Sequence, residues 1–118
     1  MPAPIKIFYI DDEPELCDIF SEQFSSAEVQ VITFTAPQIA TAEARKNPPD
    51  IIFIDYRLPG TTGDIVAQLL PANIPIYLIT GEISVATVFK FAAVLSKPLE
   101  MGKLLDIICG HPAARKTA

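Results

Sequence analysis

Four apolar runs of this sequence end on residues that could do chemistry together. Ile5–Ile10 runs into Asp11-Asp12-Glu13, Ile51–Ile54 into Asp55, Ile74–Ile79 into Thr80, and Val94-Leu95 into Ser96-Lys97-Pro98. Carboxylates gathered in one place repel, and one takes up a proton unless a cation is present. Oxygen-only ligands favour a hard cation that keeps several waters, which points to Mg²⁺. Three carboxylates, one such ion and Lys97 sum to zero formal charge, so the group can receive a phosphoryl group without accumulating excess charge. The Asp55 carboxylate is then a nucleophile toward phosphorus, giving an aspartyl-phosphate. Mg²⁺ and Lys97 would neutralise the oxygens of the transferred group, and the Thr80 hydroxyl can donate to one of them. Taken singly, each residue has a plainer reading as a solvated helix start, a loop acid or a turn lysine. The weight lies in four such residues at the ends of four separate runs.

That convergence needs a scaffold in which the run ends meet. With Val29–Phe34 there are five strand-like runs, and they alternate with helix-like stretches. Pro14 suits the first turn of a helix, where its missing N–H costs nothing, and Glu15 and Asp18 place negative charge near that end. Leu16, Ile19, Phe20 and Phe24 then follow a 3.6-residue period. Ala36–Asn47 reads as an Ala-rich helix stopped by Pro48-Pro49. Leu58-Pro59-Gly60 and Gly63 mark a loop, and Asp64–Leu70 a short helix. Ile83–Ala93 is apolar nearly all round and ambiguous. Glu100–Cys109 is a final helix with Gly110 near its C-cap. Residues 1–110 are expected to form one domain and 111–118 a C-terminal tail. Strands alternating with helices predict an α/β three-layer sandwich around a five-stranded parallel sheet with right-handed crossovers. In strand order 2-1-3-4-5, strands one and three are neighbours and their acids meet at the switch point, where ligands bind in open parallel sheets.

Composition bounds the function. The chain has 118 residues, 50% of them hydrophobic and 19% charged, which is globular rather than disordered. A net charge of −5 argues against a nucleic-acid surface. No apolar run approaches the ~20 residues of a membrane span. The start, Met1-Pro2-Ala3-Pro4-Ile5-Lys6, does not read as a signal peptide, because Ile7–Ile10 is short and ends in acids. Cys17 and Cys109 have no metal-like spacing, so reduced thiols in a cytoplasmic chain are the simpler reading, each a small buried or semi-buried hydrophobe. A single histidine, His111, makes a His-rich metal site or a Ser-His-Asp triad improbable. Phe89 and Phe91 are expected in the core, with an exposed partner surface as the alternative.

The segments IFYIDDEPE, IIFIDYRLPGTTG, IYLITG and LSKP together resemble the receiver domain of two-component response regulators, the flavodoxin-like fold of the chemotaxis response regulator. The resemblance runs from Ile5 to about Cys109. It implies Asp55 as phosphoacceptor, and Asp11, Asp12, Asp55 and the main-chain carbonyl of Arg57 as ligands of Mg²⁺. It also implies Thr80 as the switch hydroxyl, Lys97 as the phosphate-neutralising lysine, and a Lys97–Pro98 bond of a kind that family members often hold cis. The implied partners are a histidine kinase or histidine phosphotransfer protein as donor and an unidentified downstream protein, with a phosphorylation-dependent dimer as a further form; no direct nucleic-acid or membrane contact is expected. The chain would be an acceptor and not a turnover enzyme.

The sequence departs from the family pattern at three places. Val94 stands where family members often carry Tyr or Phe. The interval from Thr80 to Lys97 is roughly five residues shorter than usual, about a turn and a half of helix, so a shortened fourth helix is expected, and a short third one. Arg57 and Glu82 carry opposite charges beside the site and could pair across it, hindering water. Three other readings compete. An Mg²⁺-dependent phosphatase of the haloacid-dehalogenase type wants Asp-x-Asp, and Asp55-Tyr56-Arg57 lacks the second acid. A flavin or nucleotide binder wants a phosphate loop where Asp11-Asp12-Glu13 would repel one. A phosphorylation-independent interaction module would not need the intact acid set and Lys97.

Overall fold

The computed structural model describes residues 4–82, 87 and 89–112. Strands β1 (Ile5–Ile10), β2 (Val29–Phe34), β3 (Ile51–Asp55), β6 (Ile76–Thr80) and β7 (Ala93–Ser96) form one parallel sheet, ordered β2-β1-β3-β6-β7. This is the expected 2-1-3-4-5 arrangement. Between β3 and β6 lies a feature the sequence reading treated as loop: β4 (Arg57–Leu58) and β5 (Thr61–Thr62) pair antiparallel. Pro59 and Gly60 make the turn, and Gly60, at φ +71°, occupies the left-handed region that its missing Cβ allows.

Alternation along the strands builds two cores. Phe8, Ile10, Ile52, Ile54 and Leu78 face the layer of α2 (Pro37–Lys46) and α3 (Gly63–Ala67), against Ala40, Ala44, Val66 and Ala67. Ile5, Ile7, Tyr9, Ile51, Phe53 and Ile79 face α1 (Pro14–Phe24) and α4 (Met101–Gly110), against Cys17, Phe20, Phe24, Leu104 and Ile108. Every residue of β3 is buried, as a strand covered on both faces requires. A fully buried side chain such as Phe20 contributes about 1.5–3 kcal/mol relative to exposure. Among the described residues, no helix is long and apolar enough to cross a membrane.

Element ends and surfaces differ from expectation in instructive ways. β6 begins at Ile76 and not Ile74, because Pro75 has no N–H for the ladder; its carbonyl accepts from Ile52 N–H. Gly110 lies inside the last turn of α4, and the C-cap is His111 in extended conformation, so no left-handed glycine closes this helix. α3 is one short turn, as expected. The expected shortened fourth helix falls mostly on residues 83–86 and 88, outside the described residues. Ile19 lies off the buried stripe of α1, and Cys109 is exposed rather than semi-buried, while Cys17 is buried as expected. Phe89 and Phe91 are half-buried against the α2–α3 core, their ring centroids 4.9 Å apart. The Lys97–Pro98 peptide bond is cis.

Candidate functional site

The ladder hydrogen bonds continue past the strand ends and so fix the backbone that carries the site. Asp11 N–H donates to Phe34 carbonyl at 3.0 Å, extending β1 along β2. Tyr56 N–H donates to Ile79 carbonyl at 2.8 Å, holding the residue after Asp55 against β6. Lys97 N–H donates to Thr80 carbonyl at 2.8 Å, carrying β7 one step beyond Ser96. Ile10 pairs with Ile54 and Asp55 with Ile79, so the next residues of β1 and β3 meet at one edge of the sheet.

At that edge, oxygens of Asp11, Asp12 and Asp55 lie within 4.8 Å of one another. Asp11 is fully buried and Asp55 nearly so, at 0% and 5% exposure, whereas Asp12 faces solvent. The carboxylate of Asp11 is held at both oxygens: Tyr9 hydroxyl donates to Oδ2 and Glu13 N–H to Oδ1, each at 3.0 Å. Glu13 thus serves through its main chain and is not part of the acid cluster. Lys97 Nζ sits 3.0 Å from Asp55 Oδ1. Burial raises the pKa of Asp55; the hydrogen bond from Lys97 opposes that rise, and the charges of Asp11 and Asp12 add to it. For Lys97, burial acts downward, but the hydrogen bond and charge of Asp55, aided by Asp11 and Glu13, carry the net shift upward. Two anions crowd Asp55 and one cation answers them. An oxygen-only cluster of this reach fits a hard divalent ion, which would relieve the repulsion.

Thr80 is buried, and its Oγ1 accepts from Glu82 N–H at 3.0 Å, which leaves the hydroxyl proton for another acceptor. Arg57 and Glu82 do form an ion pair, joining the segments after β3 and β6 beside the site. Arg57 occupies the place where an aspartyl phosphatase of the type considered above needs its second acid, so no side chain there can act as acid or base. Val94 is 54% exposed, so the position that often carries an aromatic ring in receivers presents a small surface side chain.

Two contributors escaped the sequence reading. Tyr9 sits unremarked within the apolar run Ile5–Ile10, although its position two residues before Asp11 on a strand puts both side chains on one face. Gly63 was read as loop punctuation. Its N–H donates to Tyr56 carbonyl at 2.8 Å, and a Cβ there would lie 2.5 Å from the main-chain oxygen of Asp55 and 2.9 Å from Leu78 Cδ1. The β4–β5 turn can fold back over the backbone of Asp55 only because Gly63 has no side chain. Gly63→Ala is therefore expected to lower stability by ~1–3 kcal/mol through overpacking; a denaturant midpoint equal to the parent's would contradict this.

The model of the response regulator receiver domain matches residues 7–109. The phosphoglycerate transport system transcriptional regulatory protein PgtA of Salmonella typhimurium is 32% identical over 110 residues, which is 86% of this chain and 26% of that protein. The probable transcriptional regulatory protein TcrX of Mycobacterium tuberculosis is 29% identical over 82 residues, 67% of this chain and 35% of that protein. The chain thus spans about a third or less of the curated relatives it matches. Among solved structures, chemotaxis protein CheY4 of Vibrio cholerae superposes with a TM-score of 0.73 at 26% identity, covering 92% of this chain and 99% of that one. The receiver domain of sensor histidine kinase PA1611 from Pseudomonas aeruginosa, described with a magnesium ion coordinated in its active site cleft, superposes with a TM-score of 0.81 at 19% identity, covering 92% and 98%.

Proposed function

This chain belongs to the response regulator receiver domain family, and we propose that Asp55 is its phosphoacceptor, taking a phosphoryl group from a phosphohistidine on a histidine kinase or phosphotransfer protein. In the transfer, an Asp55 carboxylate oxygen forms a bond to phosphorus and the phosphorus–nitrogen bond of the donor breaks. The electron pair goes to the imidazole nitrogen, which is then protonated from solvent. Asp11, Asp12, Asp55 and the main-chain carbonyl of Arg57 would hold Mg²⁺, which when bound supplies positive charge for the phosphoryl oxygens. Lys97, already on Asp55, follows the transferred group and offsets its charge. The observation that carries the reading is this buried aspartate with one lysine at 3.0 Å and two further acids within reach. Incubation with a small phosphodonor and Mg²⁺ tests it: intact mass should show one added phosphoryl group per chain, and none added would overturn it.

The switch would run through Thr80. New phosphoryl oxygens are strong acceptors for its hydroxyl, and drawing Thr80 to them releases Glu82 N–H. With only Val94 on β7 where an aromatic ring often stands, the response is carried by the segment after β6 and not by a rotating ring. The loop 81–84 and the helix expected behind it lie largely outside the described residues. The acidic balance supports a protein, not a nucleic acid, as this segment's downstream partner. The longer relatives are named as transcriptional regulators, so the partner would act in gene control. Reduced cysteines suit the proposed cytoplasmic setting.

The Arg57–Glu82 pair sets how long the signal lasts by restricting water at the acyl phosphate. Glu82→Ala opens this pair and is expected to speed spontaneous loss of the phosphoryl group severalfold. The decay of the phosphorylated mass with time measures this; a slower decay would remove the pair from that role.

A further inference from the structure

We propose that Tyr9 is a positioning residue for the metal site, holding the buried Asp11 carboxylate in one orientation before any ion arrives. The inference rests on the Mg²⁺ reading above and extends it to a residue outside the acid cluster. Asp11 is fully buried, a setting in which an unsolvated carboxylate is costly unless donors reach it. One donor is a backbone amide, Glu13 N–H on Oδ1, which any residue but proline would supply at that place. The other is specific: the Tyr9 hydroxyl on Oδ2 at 3.0 Å. The tyrosine is itself fixed, its ring stacked on Phe20 with centroids 4.3 Å apart and planes at 15°. Phe20 is packed in turn against Phe24 and Phe53. The stack therefore runs from the α1 core through Tyr9 to the acid. The thiol of Cys17 donates to the main-chain oxygen of Asp11 at 3.3 Å, so the acid's backbone is held from the same side. A ligand carboxylate oriented by a donor behind it loses no freedom when the ion binds.

This gives Tyr9 an effect on metal affinity distinct from its share of the core. Tyr9→Phe keeps the ring and its stack and removes only the hydroxyl. Mg²⁺ titration by calorimetry should show binding to Tyr9→Phe weakened about tenfold. Tyr77→Phe, which removes a hydroxyl from the same face of the sheet on β6, should leave affinity unchanged. A purely structural tyrosine would lower the metal-free melting temperature and leave the Mg²⁺ affinity alone. The unmodified protein offers a second measurement: the ring-carbon resonance of Tyr9 next to its hydroxyl should shift on Mg²⁺ addition, as Asp11 gives charge to the ion, while that of Tyr77 stays in place. An affinity for Tyr9→Phe within twofold of the parent's, or an unmoved Tyr9 resonance during a titration that does bind metal, overturns the inference alone. A parent that binds no Mg²⁺ overturns the metal reading and this inference with it.

Discussion

Asp55→Asn should take up no phosphoryl group from a donor that fully modifies the parent, and should do so without loss of the fold. The first half follows from chemistry. The amide oxygen carries no negative charge to attack phosphorus, and among the described residues no other carboxylate stands beside a lysine at the site; Asp11 has both oxygens held and Asp12 lacks the lysine. The second half follows from the site's electrostatics. Burial and the charges of Asp11 and Asp12 raise the Asp55 pKa in the folded state above its unfolded value. A carboxyl shifted that way favours the folded state while protonated, and this benefit is lost as pH rises through the folded value. In metal-free solution near neutral pH the variant should therefore melt at or above the parent, and its advantage should vanish when acid protonates the parent's Asp55. Intact mass after phosphodonor treatment, with melts at two pH values, checks both halves. A phosphorylated variant would move the acceptor elsewhere.

The second large effect concerns Asp12. It is the acid of the cluster that faces solvent, where a hydrated ion would arrive. A ligand at one hundred times its Kd stabilises the folded state by ~2.7 kcal/mol, which for a chain of this size raises Tm on the order of 10 °C. The parent should show such a Mg²⁺-dependent rise. Asp12→Ala should lose most of it, while its metal-free Tm stays level or increases, because one of three crowded charges is gone. Thermal melts of both proteins with and without Mg²⁺ measure this. An undiminished Mg²⁺-dependent rise in Asp12→Ala would remove Asp12 from the site.

Much of this was legible in the residues. Ile51–Ile54 is apolar without a break, the pattern of a strand covered on both faces, so its central place and the exit to Asp55 followed. Pro14 and the Pro48-Pro49 pair bounded two helices through what proline cannot do. The opposite charges of Arg57 and Glu82 were enough to anticipate their pairing, since each lies two residues beyond a neighbouring strand's last residue. Other features leave no periodic trace. Two-residue strands such as Thr61–Thr62 are shorter than any pattern of alternation, so the β4–β5 hairpin read as loop. Gly60 serves its turn through a positive φ and Gly63 a close approach to Asp55 and Leu78, and a sequence does not state neighbours. Tyr9 has an apolar ring and a polar tip, and the surrounding run of isoleucines drew attention to the ring. Cys109 falls on the solvent side of α4, where the two leucines and two isoleucines around it made the whole segment look buried.

The central claim is that the phosphoryl group is carried by one aspartate at the end of β3. Borohydride reduces an acyl phosphate and converts the modified aspartate to homoserine, so peptide mapping after phosphodonor treatment locates it directly. Homoserine at position 55, and nowhere else, is the predicted result. Homoserine at position 11, 12 or 64, or a phosphoryl group that survives reduction on another side chain, would contradict it.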